Sequence, residues 1–136
     1  MHNTELRISI QNVRKSQIAD TWGEIRSSGR THEGIDIFAI RGTPVFSVTD
    51  AYVVLAGQNQ LGGNVVFIVG KGGVRFYYAH LDSIANGIKP GIKVTPDTVL
   101  GFVGNTGNAE GTPPHLHFGM HINGAQNPYD LFVEWQ

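Results

Sequence analysis

Apolar runs in this chain are short, alternate with polar residues and stop at glycines, and this punctuation limits the folds open to it. Eighteen glycines are spread through 136 residues. Runs of this kind between Gly, Asn and Pro clusters predict short strands joined by tight turns, hence an all-β domain. The expected strands cover residues 6–10, 45–48, 51–56, 64–69, 74–80, 89–94 and 99–103, with a last one beginning at 115. The stretch 57–63 reads as a polar loop, and 70–73 as a hairpin. Single helical turns are expected at 82–87 and 127–132. Neither a repeat nor a linker is visible, so residues 1–136 are expected to form one domain.

Composition removes several classes of function. The absence of cysteine rules out a disulfide framework and a thiolate metal site. A formal net charge of -1 gives no electrostatic case for nucleic acid or an anionic membrane. No apolar run approaches the roughly 20 residues that span a bilayer. The opening Met1-His2-Asn3-Thr4-Glu5 has no apolar signal-peptide region. An excised domain, and a monomer, are the expectations.

Chemistry concentrates near the C-terminal end, in Gly104-Asn105-Thr106-Gly107-Asn108-Ala109-Glu110-Gly111-Thr112-Pro113-Pro114-His115-Leu116-His117-Phe118-Gly119. Two prolines deliver the chain extended into His115. Alternate side chains of a strand share a face, so His115 and His117 project together, away from Leu116 and Phe118. A lone H-x-H pair is also compatible with two half-exposed strand histidines. A second stretch, His32-Glu33-Gly34-Ile35-Asp36-Ile37-Phe38, supplies the context. Its β-branched residues and Gly34 favour a strand, which puts His32 and Asp36 on one face. Gly34 on that face leaves room where a side chain would fill the site. His32, Asp36 and one histidine of the later pair make a three-ligand set, as a catalytic zinc with an open position requires.

H-E-G-I-D at 32–36, Y-A-H-L at 78–81 and G-T-P-P-H-L-H-F-G at 111–119, in that order, resemble the M23 (LytM/lysostaphin-type) zinc metallopeptidases. Gly42-Thr43-Pro44-Val45 and Gly101-Phe102-Val103-Gly104-Asn105-Thr106-Gly107 extend the resemblance over about 21–129. It implies a barrel-sandwich hybrid of antiparallel strands and zinc held by His32, Asp36 and His117. His80 and His115 would be non-ligand catalytic histidines. It further implies an endopeptidase acting on stem peptides or cross-bridges of bacterial peptidoglycan, in the periplasm or outside the cell.

No glutamate is placed as in H-E-x-x-H enzymes; Glu33 points away from His32 on a strand. Proton transfer therefore falls to histidine, with His115 the better base and His80 orienting water or stabilising the oxyanion, although the two could exchange roles. His80 is expected on one face with Phe76 and Tyr78. His2 and His121 read as structural or solvated, Trp22 as packing, and Arg26 and Arg30 as solvated. Loops 11–30, 57–63 and 104–114 would wall a groove for an extended, small-residue peptide. The alternative within the same family is a non-enzymatic wall-binding or amidase-activating module. A lipoyl or biotinyl carrier would need Lys71 or Lys93 on a tight hairpin, and neither has the flanking residues for it.

Overall fold

The computed structural model describes residues 5–18 and 34–135. His2, Trp22, Arg26, Arg30, His32 and Glu33 lie outside these residues. Among the described residues eleven strands occur in chain order: β1 (Leu6–Arg7), β2 (Ile35–Phe38), β3 (Pro44–Phe46), β4 (Ala51–Asn59), β5 (Gly63–Gly70), β6 (Arg75–Ile84), β7 (Lys93–Val94), β8 (Val99–Val103), β9 (His115–His121), β10 (Ala125–Gln126) and β11 (Phe132–Val133). Short 3-10 turns at Lys15–Gln17, Lys71–Gly73, Gly107–Ala109 and Tyr129–Leu131 complete the described elements.

The all-β expectation holds and the nine-stranded sheet is antiparallel throughout, but the expected barrel does not form. Nine strands form one sheet along the path β10-β9-β6-β5-β4-β7, with β2 branching from β9 and β8 linking β3 to β6. No pairing among the described strands returns to its start, so the sheet stays open. The physical reason is that β10, β2, β3 and β7, at the ends of the branches, each hydrogen-bond a single strand and leave their outer edges unjoined to one another. β1 and β11 form a separate pair that is parallel, joining the two ends of the described chain.

Two other expectations change. Residues 57–63 are not a loop: β4 runs to Asn59 and β5 begins at Gly63, leaving a tight hairpin. Residues 82–87 form no helical turn, because β6 continues to Ile84 and pairs with β8 at Gly101.

The core follows from alternation. Ile35 and Ile37 of β2 face Phe118 and Leu116 of β9 across the ladder, and all four are at most 2% exposed. Each such side chain contributes roughly 1.5–3 kcal/mol on burial. Phe76 and Tyr78 of β6 join them, with ring centroids 5.9 and 5.2 Å from that of Phe118. The Tyr78 hydroxyl accepts the Val48 N–H at 3.0 Å, which satisfies a buried donor. Burial pushes the Tyr78 phenol far up, so it stays neutral. With its apolar face committed to this core, the β2–β9–β6 unit presents its opposite face to ligands.

Candidate metal and catalytic centre

The opposite face of β2 and β9 carries the polar residues. Asp36 pairs with His117 and Phe38 with His115, so all four side chains project to one side. Asp36 Oδ1 lies 3.2 Å from His117 Nδ1 and 3.9 Å from His115 Nε2. The Phe38 ring, 58% exposed, lies beside His115 with centroids 5.1 Å apart.

Gly34 explains why His117 fits. A Cβ at residue 34 would stand 2.6 Å from His117 Cε1 and Nε2, and 2.7 Å from the Phe118 carbonyl oxygen. The imidazole occupies the space that any side chain would take, as the sequence reading anticipates.

His80 reaches the site by a different route from the one expected. Strict alternation along β6 would put it on the face of Phe76 and Tyr78, which is the core. The β5–β6 register shifts between Asn64 and Val66, where Asn64 opposes Leu81 and Val66 opposes Tyr78. The β6 segment therefore carries an extra residue, and His80 adopts φ 64. This bulge turns the imidazole out of the core face and towards the other histidines. Its ring centroid lies 5.2 Å from His115 and 5.9 Å from His117. The grouping of His80 with Phe76 and Tyr78 is thus corrected by a left-handed backbone residue, a conformation uncommon outside glycine.

Backbone carbonyls fix two tautomers. His80 Nδ1 lies 2.8 Å from the Thr106 carbonyl, and His115 Nδ1 lies 2.9 Å from the Pro113 carbonyl. A carbonyl only accepts, so each Nδ1 carries a proton, and in the neutral ring Nε2 keeps its lone pair. Burial pushes His80 down to about 4, reinforced by His115 and His117 and opposed by the Thr106 carbonyl and Asp36. It is therefore neutral at pH 7. Its Nε2 presents a proton acceptor to the site.

The pair Asp36–His117 suits a metal ion. Two ligand atoms about 2.0 Å from a tetrahedral zinc stand about 3.3 Å apart. The 3.2 Å between Oδ1 and Nδ1, here the length of a hydrogen bond, is close to that edge. Among the described residues no group of three metal-ligating side chains occurs, and the third expected ligand, His32, lies outside them.

The chain is similar in sequence and fold to known proteins. The chain is 40% identical to an L-Ala–D-Glu endopeptidase of Bacillus subtilis over 128 aligned residues, covering 85% of this chain and 39% of that protein. It superposes on a putative glycyl-glycine endopeptidase lytM of Ruminococcus gnavus with TM-score 0.79 at 29% identity, covering 98% of this chain and 64% of the other. It also matches the catalytic domain of lysostaphin from Staphylococcus simulans, with TM-score 0.74 at 31% identity over 83% of this chain and 89% of that domain. The chain spans only about a quarter to two-fifths of the length of the first curated relatives it matches. The model of peptidase family M23 matches residues 30–128, and the chain belongs to that family.

Proposed function

We propose that this protein is a zinc-dependent endopeptidase that cleaves peptide bonds of bacterial peptidoglycan, in a stem peptide or a cross-bridge, within the cell envelope. The observation that carries this reading is the convergence of Asp36, His117, His115 and His80 on one face of the sheet, with the 3.2 Å Asp36–His117 spacing of a metal pair. Membership of family M23 and a relative named as a peptidoglycan DD-endopeptidase support the substrate class.

In this reading His32, Asp36 and His117 hold the zinc. When bound, zinc lowers the pKa of a coordinated water towards about 7 and polarises the substrate carbonyl. The residues of the chain do the rest. His115 Nε2 takes a proton from the attacking water as its oxygen bonds to the carbonyl carbon. The same nitrogen returns that proton to the amine nitrogen as the C–N bond breaks. His80 Nε2 accepts a hydrogen bond from the water and aims it. As a neutral Nδ1–H imidazole it can stabilise an oxyanion only after gaining a proton, so orientation is its primary role. Acid–base assistance of this kind is worth roughly 10²–10⁴-fold. Phe38 beside His115 gives the groove an apolar flank.

Digestion of purified peptidoglycan with mass analysis of the fragments tests the reading. The expected result is new peptide ends with intact glycan strands, inhibition by chelator and recovery with zinc. New glycan reducing ends, or digestion of casein as fast as peptidoglycan, would refute it. His117→Ala should lose zinc and activity, whereas His115→Ala and His80→Ala should keep zinc and lose turnover. Zinc loading without peptide cleavage would favour the non-enzymatic alternative.

A further inference from the structure

We propose that Thr106 is a positioning residue whose side-chain hydroxyl holds His80 in its Nδ1–H tautomer and in line with His115. The inference rests on the catalytic role proposed above for His80, but its geometry is independent of that role.

The Thr106 hydroxyl donates to the Leu81 carbonyl at 2.8 Å and accepts the Asn64 N–H at 3.0 Å. Leu81 and Asn64 are cross-strand partners at the β5–β6 bulge, immediately after His80. One side chain thus ties the loop that follows β8 to both strands of the bulge. The carbonyl of the same residue takes the His80 Nδ1 proton. Residue 106 therefore grips the bulge with its side chain and the imidazole with its backbone.

The surroundings are built to admit this hydroxyl. Gly63 has φ +69, and the Thr106 hydroxyl occupies the place where a Cβ at 63 would stand. The His80 N–H is itself held, donating to the Gly62 carbonyl at 2.7 Å. A left-handed non-glycine residue persists only where its surroundings over-determine it. The Gly62 carbonyl, the Asn64–Leu81 pairing and Thr106 are those determinants. Without the hydroxyl, the 106 carbonyl is free to drift from Nδ1, and the ring can flip or exchange tautomers. A flip puts the Cε1–H where the Nε2 lone pair faces the site, and a tautomer exchange puts an N–H there.

The test compares Thr106→Val, which keeps shape but not hydrogen bonding, with Thr106→Ser, which keeps the hydroxyl. Long-range nitrogen–proton NMR of metal-free protein reads the His80 tautomer directly. Wild type and Thr106→Ser should show a single Nδ1–H form, and Thr106→Val a mixture or the Nε2–H form. On the zinc-loaded protein, Thr106→Val should lose on the order of 10-fold in kcat with KM within about 2-fold, and Thr106→Ser should recover most of it. A Thr106→Val protein with the wild-type tautomer, or a Thr106→Ser protein as impaired as Thr106→Val, overturns the proposal. If Thr106→Val fails to fold, the wild-type spectrum still decides: an Nε2–H His80 would refute it. A wild-type protein with the Nδ1–H form but no peptidase activity would sink the proposed function and leave the positioning of His80 standing.

Discussion

Replacing Gly34 by alanine tests the centre with a single carbon atom. The added Cβ would lie 2.6 Å from two atoms of the His117 ring and 2.7 Å from the Phe118 carbonyl oxygen. Ordinary non-bonded contacts sit at about 3.5–4.0 Å, so the site is short by about 1 Å. The Phe118 carbonyl belongs to the backbone of β9 where it pairs with Ile35, and it can retreat only by disturbing the ladder. The imidazole is the softer neighbour, yet moving it by about 1 Å breaks the match to Asp36, and a shift of that size can cost about 10²-fold in rate. Overpacking of this kind costs about 1–3 kcal/mol. Gly34→Ala should therefore lower the urea midpoint of metal-free protein, weaken zinc at least about 10-fold in a competitive titration and cut turnover about 10²-fold. Wild-type zinc affinity in a folded Gly34→Ala protein would refute the placement of His117 over residue 34. A lowered midpoint alone would leave the carbonyl contact standing and reject the metal half of the argument.

Acid should destabilise the metal-free protein through His80. Its pKa is about 4 when folded against 6.5 for the free side chain, so the unfolded chain takes the proton first as pH falls through that window. The stability is full above 6.5 and lost progressively towards 4, by at most about 3 kcal/mol; an unchanged slope in His80→Gln would refute this. Zinc affinity should fall below about pH 5 as protons compete for the ligand histidines, and undiminished affinity at pH 4 would contradict a two-histidine site. Tyr78→Phe removes the acceptor of the buried Val48 N–H and should cost about 1–3 kcal/mol in chemical denaturation with zinc affinity unchanged; an unaltered midpoint would mean that the donor finds another partner.

The period-2 pattern at 115–121 and 35–38 was enough to separate a core face from a chemical face. Leu116, Phe118, Ile35 and Ile37 could only go inward, so His115, His117 and Asp36 had to share the other side, and Gly34 had to leave room there. Alternation is a local property of the backbone, and the β2–β9 pairing then puts the two polar faces on one side. Three things depended on how distant segments meet. His80 lies on β6, where alternation points into the core; only the bulge against β5 and the carbonyl from residue 106 turn it to the site. Residues 57–63 and 82–87 look like loop and helical turn in isolation, but pairing with β5 and β8 holds 57–59 and 82–84 extended and leaves only tight turns beyond them. Sheet closure was equally out of reach of the sequence, because strand pairing and register shifts are set by contacts across the whole chain. A residue's face can be read from its neighbours in sequence while the ladder is regular; once a strand carries an extra residue, only its partner strand decides which way the side chain turns.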